Sequence, residues 1–128
     1  MRLALVAVAT IATAQEEGLL EEGRRHFADY CAACHGADAQ GAGPMRPILN
    51  VPAPDLTVIA ADRGGFPHLD VVRKIDGRDA LVSHGSDMPV WGPFFEGRGT
   101  FVLTESGQPI ATSEPIAALV AWLESVQR

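Results

Sequence analysis

The spacing of apolar positions changes several times along the chain, and each change marks an element. Leu3 to Ile11 is an almost unbroken apolar run, followed by Ala12-Thr13-Ala14 and an abrupt polar turn at Gln15-Glu16-Glu17. From Glu16 to about Ala33 the spacing becomes helical, with Leu20, Gly23, Phe27 and Cys31 on one face. Glu16, Glu17, Glu21 and Glu22 crowd its first turns, where the helix dipole favours negative charge. Residues 36–55 lose this periodicity. Gly36, Gly41, Gly43, Pro44, Pro47, Pro52 and Pro54 predict an ordered loop there. Pro67 opens a second helix to about Ile75, with Gly77 placed to stop it, and Arg78 to Ser83 adds a short helical turn. Residues 85–99, with Pro89, Gly92 and Pro93, are again loop. Phe101 to Thr104 and Ile110 to Thr112 flank Ser106-Gly107 and predict a small hairpin. Ser113 is placed to cap a last helix, Pro115 sits in its first turn, and Ile116, Leu119, Val120, Leu123 and Val126 form its apolar stripe. The pattern holds no internal repeat and predicts an all-α domain with a small hairpin insertion.

The first run has the anatomy of a secretory signal: Arg2 as the positive start, an apolar centre, and the small-x-small pattern at Ala12-Thr13-Ala14. It is far shorter than the about 20 residues of a spanning helix. Residues 1–14 are therefore expected to be a leader cut after Ala14, leaving 15–128 as an exported, periplasmic domain that does not insert in the membrane. Cys31 and Cys34 lie far from the cut, so a lipid-anchored terminal cysteine is not expected.

Composition narrows the function. With 128 residues, 47% hydrophobic and 20% charged, one packed domain is expected. The net charge is −6, and Lys74 is the only lysine. That balance argues against nucleic acid, which requires clustered Lys and Arg, and against docking on an anionic membrane. Two cysteines build neither a four-thiolate zinc site nor a disulfide framework.

Those cysteines occur in Cys31-Ala32-Ala33-Cys34-His35, the C-x-x-C-H run of covalent haem attachment. On a helical turn each thiol can add to one haem vinyl group, while the next residue presents its imidazole to the iron. The resulting thioethers resist thiol exchange, so the cofactor is retained outside the cell. A thioredoxin-type disulfide wants a βαβ context that the chain lacks, and His26, His68 and His84 supply no recognisable second half of a zinc site. Met88, in Asp87-Met88-Pro89-Val90-Trp91-Gly92, is the expected sixth iron ligand, reaching the opposite haem face from a loop that Pro89 stiffens. Met45 follows His35 too closely and is expected to be a core or surface residue. His84 and His68 are the rivals, and either would give a bis-histidine haem.

With these residues the chain resembles a class I, mitochondrial- and bacterial-type, cytochrome c. Gly23 and Phe27 precede Cys31 as the family's N-terminal helix glycine and aromatic do, and Leu119-Val120-Ala121-Trp122-Leu123 matches its C-terminal helix. The resemblance implies that the two terminal helices cross around one covalently bound haem c, with Gly23 admitting close approach and Phe27 and Trp122 packing at the contact. Pro47 and Leu49 are similar to the family's proline and leucine beside the proximal histidine. There the proline carbonyl accepts the imidazole's other N–H and raises ligand basicity; Pro44 is a second candidate. Two departures concern the partner. The lysine ring many relatives use for docking is absent, and the stretch from Phe94 to Thr112 is longer than usual.

A haem ligated by both His35 and Met88 has no open position for substrate, which points to one-electron transfer between transient redox partners by a non-enzymatic monomer. Trp91 either packs near the haem with its indole N–H toward a propionate or fills space at the rim. His26, Arg24-Arg25 and Arg73-Lys74 are expected on solvated faces, and Asp55 as a turn cap. Two other functions compete: a haem sensor or enzyme with an open sixth position, and a dedicated electron-accepting subunit of a periplasmic dehydrogenase. The latter would place its interface on the hairpin stretch from Phe101 to Thr112.

Overall fold

The computed structural model describes residues 3–78 and 87–128, with side chains described from residue 11 onward. Helix α1 spans Leu3–Tyr30 and runs unbroken through the expected leader; α2 is the single turn Ala32–His35. Short 3-10 turns cover Arg46–Ile48 and Leu56–Val58. Helices α3 (Ile59–Arg63) and α4 (His68–Asp76) follow, then a hairpin of β1 (Gly99–Leu103) and β2 (Pro109–Ser113), and finally α5 (Glu114–Ser125). Among the described residues no helix is long and apolar enough to cross a membrane. His84 and most of the helical turn expected from Arg78 to Ser83 lie outside the described residues.

The core forms where α1 crosses α5. The stripe residues Ile116, Leu119, Val120 and Leu123 are buried against Phe27, with Val71, Val72 and Ile75 of α4 closing the other side. At the crossing, a Cβ added to Gly23 would land on the Ala118 carbonyl and lie 2.7 Å from the Trp122 Cβ. Glycine is what permits the two backbones to approach this closely. One turn further, the Phe27 and Trp122 rings sit 4.5 Å apart between centroids. The expected crossing of the terminal helices is therefore present, with the expected residues in it.

The hairpin is antiparallel, with Phe101 opposite Ala111 and Leu103 opposite Pro109. Val102 and Ile110 pack on the core, whereas Phe101 and Leu103 are 65% and 60% exposed on the other face. Ser113 does not cap α5 as expected. It is still the last residue of β2, paired with Gly99, and its Oγ is buried without a partner. The helix start is instead tied down by the Glu114 N–H donating to the Arg98 carbonyl (3.0 Å) and by an Arg98–Glu114 ion pair (3.2 Å). His26 also departs from expectation. Rather than standing in solvent, its ring packs edge-on at 5.3 Å from Phe95, with Nε2 3.4 Å from Glu22.

Candidate functional site

The site begins at the joint between α1 and α2. Cys31 carries the last turn of α1, its N–H donating to the Phe27 carbonyl, and its own carbonyl accepts from the Cys34 and His35 amides. This tight turn presents Cys31, Cys34 and His35 to one cavity. The following loop folds back beneath it. The Gly41, Gly43 and Met45 amides donate to the His35, Cys34 and Ala33 carbonyls, which satisfies the open end of α2. Gly43 is required here, because an added Cβ would collide with the Ala33 carbonyl and come within 2.7 Å of the Ala32 oxygen.

The cavity measures about 370 Å³, within the range of small-molecule and cofactor sites. Cys31, Cys34, His35 and Met88 all line it, although Met88 comes from the loop after α4 on the far side of the chain. Leu49 and Trp91 line it as well. The rest of the wall is mainly apolar: Val51 to Pro54 and Leu56 from the loop, Val71 and Ile75 one turn apart on α4, and Leu119 and Leu123 one turn apart on α5. The loop bearing Met88 and Trp91 is anchored to α4, since the Trp91 and Gly92 amides donate to the Ile75 and Asp76 carbonyls. Tyr30 also reaches the cavity and begins an aromatic cluster: Phe94 packs edge-on at 4.8 Å, and Phe95 lies 5.0 Å beyond it.

Electrostatics at the site follow from burial. Burial, with Cys34 adding to it, pushes the Cys31 thiol up to about 11, so it stays protonated at neutral pH. A redox-active disulfide cysteine needs the opposite shift. Burial also lowers the His35 pKa and favours its neutral, ligating form, partly offset by the Pro54 carbonyl beside the ring. His35 Nδ1 is buried and makes no hydrogen bond of its own within bonding geometry.

Not every candidate lines the cavity. Pro47 and Pro44 are exposed and outside the cavity lining, whereas Pro54, further along the same loop, lines it together with His35. Met45 is 39% exposed and does not line the cavity, in keeping with its expected surface role. His68 is buried in a different cleft, with Nε2 3.0 Å from Glu124 Oε2, so it does not compete for the same site. Sequence reasoning missed Tyr30, Pro54, Val71 and Ile75 as lining residues. The i, i+4 pair on α4 carried a usable signal, since two apolar residues one turn apart face the same way.

The chain matches the Cytochrome c family model over residues 20–127. It is 37% identical over 67 residues to the dehydrogenase subunit of an alcohol dehydrogenase (quinone) from Gluconacetobacter polyoxogenes, a match covering 52% of this chain and 8% of that protein. It is 38% identical over 85 residues to the cbb3-type cytochrome c oxidase subunit FixPc from Rhizobium leguminosarum bv. viciae, covering 62% of this chain and 23% of that subunit. No solved structure matches. The chain thus spans less than a quarter of the length of either relative. A family match over nearly the whole domain, on a helical fold built around this cavity, makes the chain a member of the cytochrome c family, an electron-transfer cytochrome whose cofactor is covalently bound haem c.

Proposed function

We propose that the protein is a periplasmic, mono-haem electron carrier in which His35 and Met88 ligate the iron. The observation that carries this reading is that two thiols, one imidazole and one thioether from separated parts of the chain face a single apolar cavity. Each thiol would add across one vinyl group, its hydrogen going to the vinyl carbon, so that two thioethers form without an oxidant. When bound, the haem supplies a one-electron Fe(III)/Fe(II) couple. His35 and Met88 would both ligate the iron, leaving no position for substrate; hence a carrier rather than an enzyme. The neutral thioether of Met88 favours the ferrous state relative to a second histidine. Val71, Ile75, Leu119 and Leu123, which line the cavity, would keep water from the iron. The covalent clamp limits rearrangement between redox states. Export after removal of residues 1–14, transient redox partners and a monomeric state complete the proposal.

The test is an optical spectrum of the exported protein, oxidised and reduced, with and without CO. A low-spin haem with the ferric Met–iron charge-transfer band and no CO shift is expected. Met88→Ala should abolish that band and open the haem to CO, while Met45→Ala should leave both unchanged. A high-spin, CO-sensitive wild type would replace the carrier with a sensor or enzyme.

A second reading, a dedicated subunit of a dehydrogenase complex, draws on the exposed Phe101 and Leu103. The outward face of a two-stranded antiparallel ribbon is ordinarily polar. Here it is apolar, as a face covered by a partner subunit would be.

A further inference from the structure

The side chains that line the cavity bring it almost no charge. Among the described residues its wall holds one cation, Lys74, and one carboxylate, Asp87. The rest is apolar apart from the thiols, the His35 ring, the Tyr30 hydroxyl and the Trp91 indole. Haem c, by contrast, carries a pair of carboxylates on its apolar macrocycle. We propose that Lys74 is the counter-ion of the haem carboxylates, which makes it a cofactor-binding residue of this site. The inference rests on the haem reading given above.

Position and elimination both lead to this side chain. On α4, Val71, Lys74 and Ile75 recur at three- and four-residue steps and so share one face, the face that lines the cavity. Val71 and Ile75 are buried, whereas Lys74 is exposed, which places it at the rim where the wall meets water. A lysine there lays its apolar stem along the wall and keeps its ammonium within reach of solvent. Haem carboxylates have the matching requirement, because their macrocycle is buried and their charge must stay hydrated or paired. No arginine among the described residues lines the cavity. Arg24, Arg63, Arg78, Arg98 and Arg128 each pair with a carboxylate outside that lining. Arg73, next to Lys74 in sequence, is exposed on another face of α4 and is not part of the wall.

The energetics favour the pairing. An ammonium and a carboxylate at the edge of an apolar cavity attract more strongly than the same pair in bulk water. The charge-assisted hydrogen bond also outweighs one from the neutral Tyr30 or Trp91 donors. Asp87 repels a haem carboxylate, which leaves Lys74 to offset both. Removing the ammonium makes the site more negative, which favours Fe(III) and lowers the reduction potential. The same charge removed at Arg73 is screened by water and counter-ions, so it serves as the control.

The experiment compares holoprotein carrying Lys74→Gln, Lys74→Arg or Arg73→Gln with wild type. It measures reduction potential by spectroelectrochemical titration and the ferric NMR shifts of the haem propionate methylene protons. Lys74→Gln should lower the potential and move the propionate signals, with the ferric Met–iron band retained. Lys74→Arg should recover most of each change, and Arg73→Gln should leave both close to wild type. Equal shifts in potential for Lys74→Gln and Arg73→Gln would reduce the effect to net charge and overturn the proposal, as would unmoved propionate signals in Lys74→Gln. Loss of the Met–iron band in Lys74→Gln, with the propionate signals in place, would overturn it too and assign Lys74 to Asp87 and the loop bearing Met88. Failure of both Lys74 variants to load haem, where wild type loads, would overturn it and assign the residue to folding alone. A wild type without histidine-ligated haem would refute the haem reading instead, so the two failures are distinguishable.

Discussion

Asp55 shows how one side chain can serve a local and a distant role. Locally it caps the turn at Leu56–Val58, as an aspartate after Pro-Ala-Pro is expected to do. The Thr57 hydroxyl, then its amide, and more weakly Arg128 hold the Asp55 carboxyl below its ordinary value of 3.8, against a small opposing effect of burial. A depressed folded-state pKa means that the ionised form stabilises the fold. That contribution is complete above the ordinary value and is lost as pH falls through the lower, folded one. Asp55→Asn should therefore lower stability by a constant amount from neutral pH down to about pH 5, with the gap closing below about pH 4. Denaturant unfolding across that range checks it; a gap unchanged at pH 3 would remove Asp55 from the account. The cap was legible because it spans two residues. Arg128 was not, because its meeting with Asp55 depends on where α5 ends in space. The same holds for the loop after His35: the family resemblance pointed to Pro47, which is exposed and outside the cavity lining, whereas Pro54 lines it.

Between elements, the decisive contact is the crossing of α1 and α5. A methyl group at Gly23 meets backbone at Ala118 and so has no flexible neighbour to displace. Gly23→Ala should accordingly push the helices apart and destabilise the protein by about 1–3 kcal/mol, despite the higher helix propensity of alanine. Equilibrium denaturation of the holoprotein measures this, and a neutral or stabilising result would show that the helices cross with more room than the structure gives them. Both helices and the hairpin were readable because each repeats its pattern over several turns or residue pairs. The one-turn α2, the five-residue α3 and the 3-10 turns were not, since elements this short cannot display a period. Ser113 has a residue type suited to capping, yet strand pairing claims its backbone and the helix starts without its side chain.

At the scale of the whole molecule, a net charge of −6 and the single Lys74 leave no basic ring for docking, so apolar surface is the better candidate for a lasting partner contact. Replacing Phe101 and Leu103 by serine should spare the haem spectrum, because both side chains point away from the core. If the protein is a complex subunit, the share of haem absorbance eluting at the mass of the complex should fall; an unchanged share would sink the hairpin interface. The sequence alone determined the terminal helices, the hairpin and the chemistry of Cys31, Cys34 and His35, because a helical period and a C-x-x-C-H turn are set by backbone geometry within a few residues. Only the tertiary structure decided that Met88 and Trp91 face the same cavity as His35, and that Gln127 and Arg128 hydrogen-bond to the segment from Asp55 to Ala60. Those contacts join segments far apart in the chain, and closing such a loop is a property of the packed core, which no local spacing records.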